Sequence, residues 1–138
     1  MPTSYVIRPS SRRVDCVASG KFTDAEFRKA AEDVRSDPEF DPSFSQLFDL
    51  SGVTEFALSN SILKGLSTTS IFSPDAPRAI VALDDLGYGL ARMHALWKES
   101  RSGTPIGVFR HRAEAIKWLE NKQAELGLPD AKKRKSRS

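Results

Sequence analysis

The order of hydrophobic patterns along the 138 residues predicts an α/β fold. It is expected to be a single domain with a mostly parallel five-stranded sheet and one antiparallel edge strand. Three observations carry this. Two short alternating segments stand together at the N-terminus, separated by a proline–serine turn. Beyond them, strand-like runs alternate with stretches of helical period, which implies parallel strands joined by crossovers. RAIVAL, at 78–83, is continuously apolar between charged ends, as in a strand buried on both faces. The element order is β-β-α-β-α-β-α-β-α.

Tyr5 to Arg8 and Arg13 to Ala18 form the opening hairpin, with Val14, Cys16 and Ala18 on one face and Asp15 and Val17 on the other. Pro9 follows the first strand and cannot donate to a ladder, so that strand belongs at an edge. Thr23 and Glu26 have the spacing of a capping box, and Phe27, Ala30, Ala31 and Val34 make one apolar stripe behind it. The helix stops before Pro38, because a residue preceding proline avoids helical geometry. QLFDL, from Gln46 to Leu50, is the next strand, with Gly52 marking its exit into a loop.

Ser59 is placed to cap a helix over 60–68 that turns Ile62, Leu63 and Leu66 inward. After RAIVAL, Asp84 or Asp85 caps a helix from Leu86 to Ser100, whose inner side is assigned to Leu86, Leu90, Met93 and Trp97. Ile106 to Phe109 is the last strand. Ala113, Ala115, Ile116 and Leu119 give the last helix its apolar side, flanked by His111. The domain spans 1–126, and residues 127–138 read as a basic tail too charged to fold.

The composition, 39% hydrophobic and 28% charged, is that of a globular domain rather than a disordered chain. The net charge of +3 comes from the tail, where Lys132, Lys133, Arg134, Lys135 and Arg137 outnumber Asp130; the body holds 16 basic and 17 acidic residues. A nucleic-acid-binding domain carries its excess on the folded surface. Contact of this tail with nucleic acid or an anionic membrane is therefore a weaker expectation than a solvated end. Cys16 is the single cysteine, which excludes an internal disulfide and suits a reducing, cytoplasmic setting. Two histidines and one cysteine give no metal-ligand spacing, and neither a P-loop nor a dinucleotide fingerprint occurs. No cofactor and no metal are expected.

FDLSGVTEFALSNSILKGL resembles the strand–loop–helix of STAS domains (the sulfate-transporter and anti-sigma-factor-antagonist family). RAIVAL, YGLARMHALW and VFRHRAEAIKWL resemble small bacterial SpoIIAA-like proteins of unassigned function. The resemblance covers about residues 4–126 and implies the SpoIIAA-like fold, which lipid-carrying domains of the Sec14 type share. In the antagonist domains an aspartate, adjacent serines and a glycine open the helix after this strand, and a serine there is phosphorylated. Here Leu58 stands at the aspartate position, the glycine is missing, and Ser59 lies where a switch serine would sit.

Two groups of residues follow as candidates. Ser59, Ser61, Thr54 and Asp49 form the candidate switch or partner surface, at the carboxyl end of a strand where ligands gather in such sheets. Tyr88 and Arg92, four apart on one helix face, and His94 beside them form a candidate ligand-binding group. Plainer roles stand next to these: an N-cap for Ser59, local hydrogen bonding for Asp49, a surface stack for Tyr88 and Arg92, packing for Cys16, Trp97 and Trp118. The expected function is that of a non-enzymatic regulatory or protein-interaction module with a protein partner. The alternative is a carrier of a lipid or small apolar ligand, seated against Phe56, Leu58, Ile62 and Phe72.

Overall fold

The structure, a computed structural model, describes residues 3–59 and 71–125, with the backbone alone at 94, 97, 98 and 100–102. The helix expected over 60–68, Ser61 within it, and the tail all lie outside the described residues. Five strands cross one sheet in sequence order: β1 (Thr3–Arg8), β2 (Arg13–Thr23), β3 (Ser45–Ala57), β4 (Arg78–Val81) and β5 (Ile106–Phe109). β1 pairs antiparallel with β2 and every other pair is parallel, as the sequence predicts. Among the described residues, three helices pack on this sheet: α1 (Asp24–Ser36), α2 (Asp85–Ser102) and α3 (Arg112–Glu125). Among the described residues, no helix is long and apolar enough to cross a membrane.

Local chemistry sets the element ends. The hairpin turns through a short 3₁₀ segment at Pro9–Ser11, closed by Arg12 at φ 51° donating its N–H to the Pro9 carbonyl. Thr23 accepts the Glu26 N–H at 3.2 Å and starts α1. Asp84 accepts the Gly87 N–H at 2.6 Å and starts α2. Gly103, at φ 71°, closes α2 in a left-handed conformation that costs glycine little.

Strand alternation divides the helices between two faces. Val14 and Cys16 of β2 pack with Val34 of α1, and Phe56 of β3 reaches Gly87 of α2 on that same side. Leu47, Ala79 and Val81 turn the other way and pack on Ala115 and Leu119 of α3. The buried polar Gln123 of α3 donates to Ser45 Oγ at 2.9 Å and to the Arg12 carbonyl at 3.2 Å, tying the helix end to the start of β3.

Four expectations are corrected. The loop expected from residue 51 onward is strand: β3 continues to Ala57 beside β2, which itself continues to Thr23. Gly52 stays in the ladder because the strands approach so closely there that an added Cβ would lie 3.1 Å from Ser19 Cβ. The inner stripe of α2 is Gly87, Ala91 and Ala95, which are buried. Leu86 is 65% exposed, and Met93 is exposed as well. The reason is distance: a Cβ on Gly87 would sit 3.0 Å from the Phe56 ring, so only small residues let the helix approach. β4 ends at Val81, leaving Leu83 exposed, and Ala113 points to solvent while Ala115 and Leu119 carry the packing of α3.

Candidate partner surface

β2 and β3 outrun the rest of the sheet. β3 pairs with β4 only from Gln46 to Asp49, yet stays paired with β2 as far as Ala57. The segment 50–57 therefore leaves the sheet as a two-stranded ribbon, roughly 25 Å long at strand rise. Register shifts at Val17/Ser19 and Gly20/Lys21 bend it. One side is packed: Ala18, Phe22 and Val53 form a cluster joined by Phe27 of α1 and by Phe48, Leu50, Phe56 and Leu58. On its exposed side Lys21 and Glu55 form a cross-strand pair at 3.8 Å, and Ser51 and Thr54 are exposed.

α3 covers β3, β4 and β5, and among the described residues nothing covers the same sheet face over β1 and β2. Val6 is 52% exposed and Val17 37%, although both stand in strands. Between them and α3 lies a charged network that the sequence reading missed. Asp15, its side chain 4% exposed, accepts from Arg8 Nε at 2.7 Å and Arg13 Nε at 2.6 Å. Arg112 Nη2, in the first turn of α3, is 3.5 Å from the same carboxylate. The other Arg112 nitrogen, Nη1, donates to Asp49 Oδ2 at 3.2 Å, and Asp49 Oδ1 accepts from the Ser51 N–H at 2.9 Å and its hydroxyl at 2.6 Å. Burial pushes the Asp15 carboxyl up, but hydrogen bonds and charge from Arg13 and Arg8 outweigh it and hold the group below its ordinary value. The network is a brace: it ties β1, β2, β3 and α3 together at the border of the open face.

The candidate residues separate. Asp49 belongs to this brace, and Thr54 to the ribbon. Ser59 lies past the ribbon's end, where its N–H donates to Asp24 Oδ1 at 2.8 Å and its hydroxyl to the same carboxylate, lowering the Asp24 pKa. Ser59 thus closes the end of β3 onto the first residue of α1. Tyr88 takes its stacking partner from outside α2: the Arg110 guanidinium lies 4.3 Å from its ring centroid. Arg110 is held there by the Leu83 carbonyl and Asp85. Arg92 stands on the outer side of α2, beside the β5 edge, and the His94 side chain lies outside the described residues.

The apolar residues assigned to a guest are packed elsewhere. Phe56 and Leu58 belong to the Phe22 cluster, Phe72 packs with Val14 and Phe40, and Ile62 lies outside the described residues. Cys16 is buried, and burial pushes its thiol up to about 11, which suits packing rather than reaction. Asp15 carried one sequence signal, a charge in a strand on the face opposite Val14 and Cys16. Its partners Arg8 and Arg112 are set by topology and leave no local trace.

These features define an α/β protein of SpoIIAA-like fold. The chain is similar to an uncharacterized protein from the DUF3478 family with a SpoIIAA-like fold, from Shewanella loihica PV-4. The identity is 18% and the TM-score 0.57, over 85% of this chain and 93% of that one. No family model and no curated protein matches the chain.

Proposed function

We propose that this chain is a non-enzymatic regulatory module of the cytoplasm that binds a protein partner through the open half of its sheet. The observation that carries the reading is the pair of exposed valines, Val6 and Val17, on a face that α3 leaves uncovered. Apolar strand residues left in water beside a braced charged border mark an interaction surface. The border carries three arginines on two carboxylates, an excess of positive charge. A partner element with apolar residues flanked by carboxylates fits it.

Ser59 supplies the regulatory element. A phosphate on its hydroxyl would set about two negative charges against the Asp24 carboxylate and push the end of β3 away from α1. The ribbon edge of the surface would then move.

The experiment is a binding titration with a partner recovered by crosslinking from the native host. Val17→Glu is expected to weaken binding about tenfold or more, since it places a charge in the apolar part of the interface. Ser59→Asp is expected to weaken it and Ser59→Ala to leave it unchanged. Unchanged binding by Val17→Glu would remove this face from the account. Equal binding by the two Ser59 variants would remove the switch.

A further inference from the structure

The opposite edge of the sheet carries a second surface. β5 is the outer strand, paired with β4 on one side. The Arg78 N–H donates to the Pro105 carbonyl and the Ala82 N–H to the Phe109 carbonyl, both at 2.9 Å. That phase turns the main-chain groups of residues 105, 107 and 109 toward β4, and leaves the N–H and C=O of Ile106 and Val108 pointing outward. A groove of about 280 Å³ follows this edge, lined by β5 itself, by Arg92, Ala95, Leu96 and Glu99 of α2, and by Trp118 of α3. The strand, IGVF, contains none of the lysines or prolines that block pairing within edge strands. Leu96, 61% exposed, overhangs the groove.

We infer that a second copy of this chain occupies this edge, joining the two sheets through antiparallel β5–β5 pairing about a two-fold axis at Gly107. The axis sets Ile106 against Val108 of the other copy twice, so that every outward main-chain group of the two residues finds a partner. The charges on α2 identify the occupant as a copy. α2 runs back between the parallel strands β4 and β5, so its segment 92–99 meets its own copy antiparallel across the axis. Arg92 and Glu99 stand at the two ends of that segment, with Leu96 beside its midpoint. Arg92 of each copy therefore faces Glu99 of the other, and the two Leu96 side chains meet near the axis. An isologous interface requires this reciprocal arrangement. Both side chains are exposed, and neither has an ion-pair partner among the described residues.

Sedimentation equilibrium of the full chain tests the inference. The wild-type chain is expected to dimerise reversibly. Arg92→Glu alone, and Glu99→Arg alone, set like charges across the axis and are expected to weaken the dimer about tenfold or more. The double variant Arg92→Glu/Glu99→Arg exchanges the charges and is expected to restore it. All three variants change exposed residues only, and circular dichroism verifies that the fold is kept. A chain that stays monomeric at every concentration overturns the inference. So does a dimer that survives either single reversal, or a double variant that fails to recover.

Discussion

Phe22→Ala is expected to destabilise the protein by about 4 kcal/mol, the range for truncating a fully buried aromatic. Phe22 is 2% exposed and stands edge-on to Phe27 of α1 and Phe48 of β3, with ring centroids 6.2 and 5.8 Å away. It is where the ribbon, the sheet and α1 meet. Beyond the cavity left in the core, the ribbon would lose its anchor. Native-state hydrogen exchange should show residues 52–57 losing protection while the Leu47–Val81 core keeps more of its own. Phe22→Leu, which preserves most of the volume, should cost far less in urea unfolding. Equal losses for the two variants would mean that the ribbon is not held by this ring.

Asp15→Asn is expected to cost about 3 kcal/mol at neutral pH. Removing one member of a buried ion pair costs roughly 3–5 kcal/mol because the partner charge is left behind. The lower end applies because Arg8 and Arg112 keep part of their hydration, while Arg13 is nearly enclosed. The pH dependence follows from the sign of the shift. The Asp15 carboxyl lies below its ordinary value of 3.8 in the folded chain, so the unfolded chain takes up its proton first as pH falls. The stabilisation is complete above the ordinary value and disappears as pH drops through the folded value. The difference between wild type and Asp15→Asn should therefore narrow on acidification below about 4. Urea titrations across that interval measure it, and a difference independent of pH would contradict the assignment.

The sheet and its helices were legible because their signals are local. The alternation of Val14, Cys16 and Ala18, the Thr23–Glu26 cap and the apolar run RAIVAL at 78–83 each act within a few residues. The ribbon was not legible, because Gly20 and Gly52 look like strand exits. In the structure Gly20, at φ 66°, sits at a register shift and Gly52 at a close strand approach, two uses of glycine that keep a strand going. The inner face of α2 was misread for a related reason. Hydrophobicity picks out Leu86 and Met93, but proximity to Phe56 selects Gly87, and the small Ala91 and Ala95 continue its buried stripe.

Among the candidate residues, Asp49 was noted for its position in an apolar strand, and the structure bonds it to Arg112 and Ser51. Asp15, with more partners, was passed over. The alternation put it on the second face, but only the placement of α3 shows that Arg112 reaches both carboxylates and that the face beyond them is open. Tyr88 was paired with Arg92, four residues further along the same helix, but another guanidinium lies over its ring. The partner is Arg110, brought in from the end of β5 rather than from the same helix.

The open face over β1 and β2 is expected to receive the partner. Amide NMR of the isotopically labelled chain, titrated with that partner, tests it directly. Shift changes are expected to concentrate on residues 4–8 of β1, 15–21 of β2 and 51–55 of β3. Changes confined to residues between the sheet and α1 or α2, with this face unmoved, would contradict it.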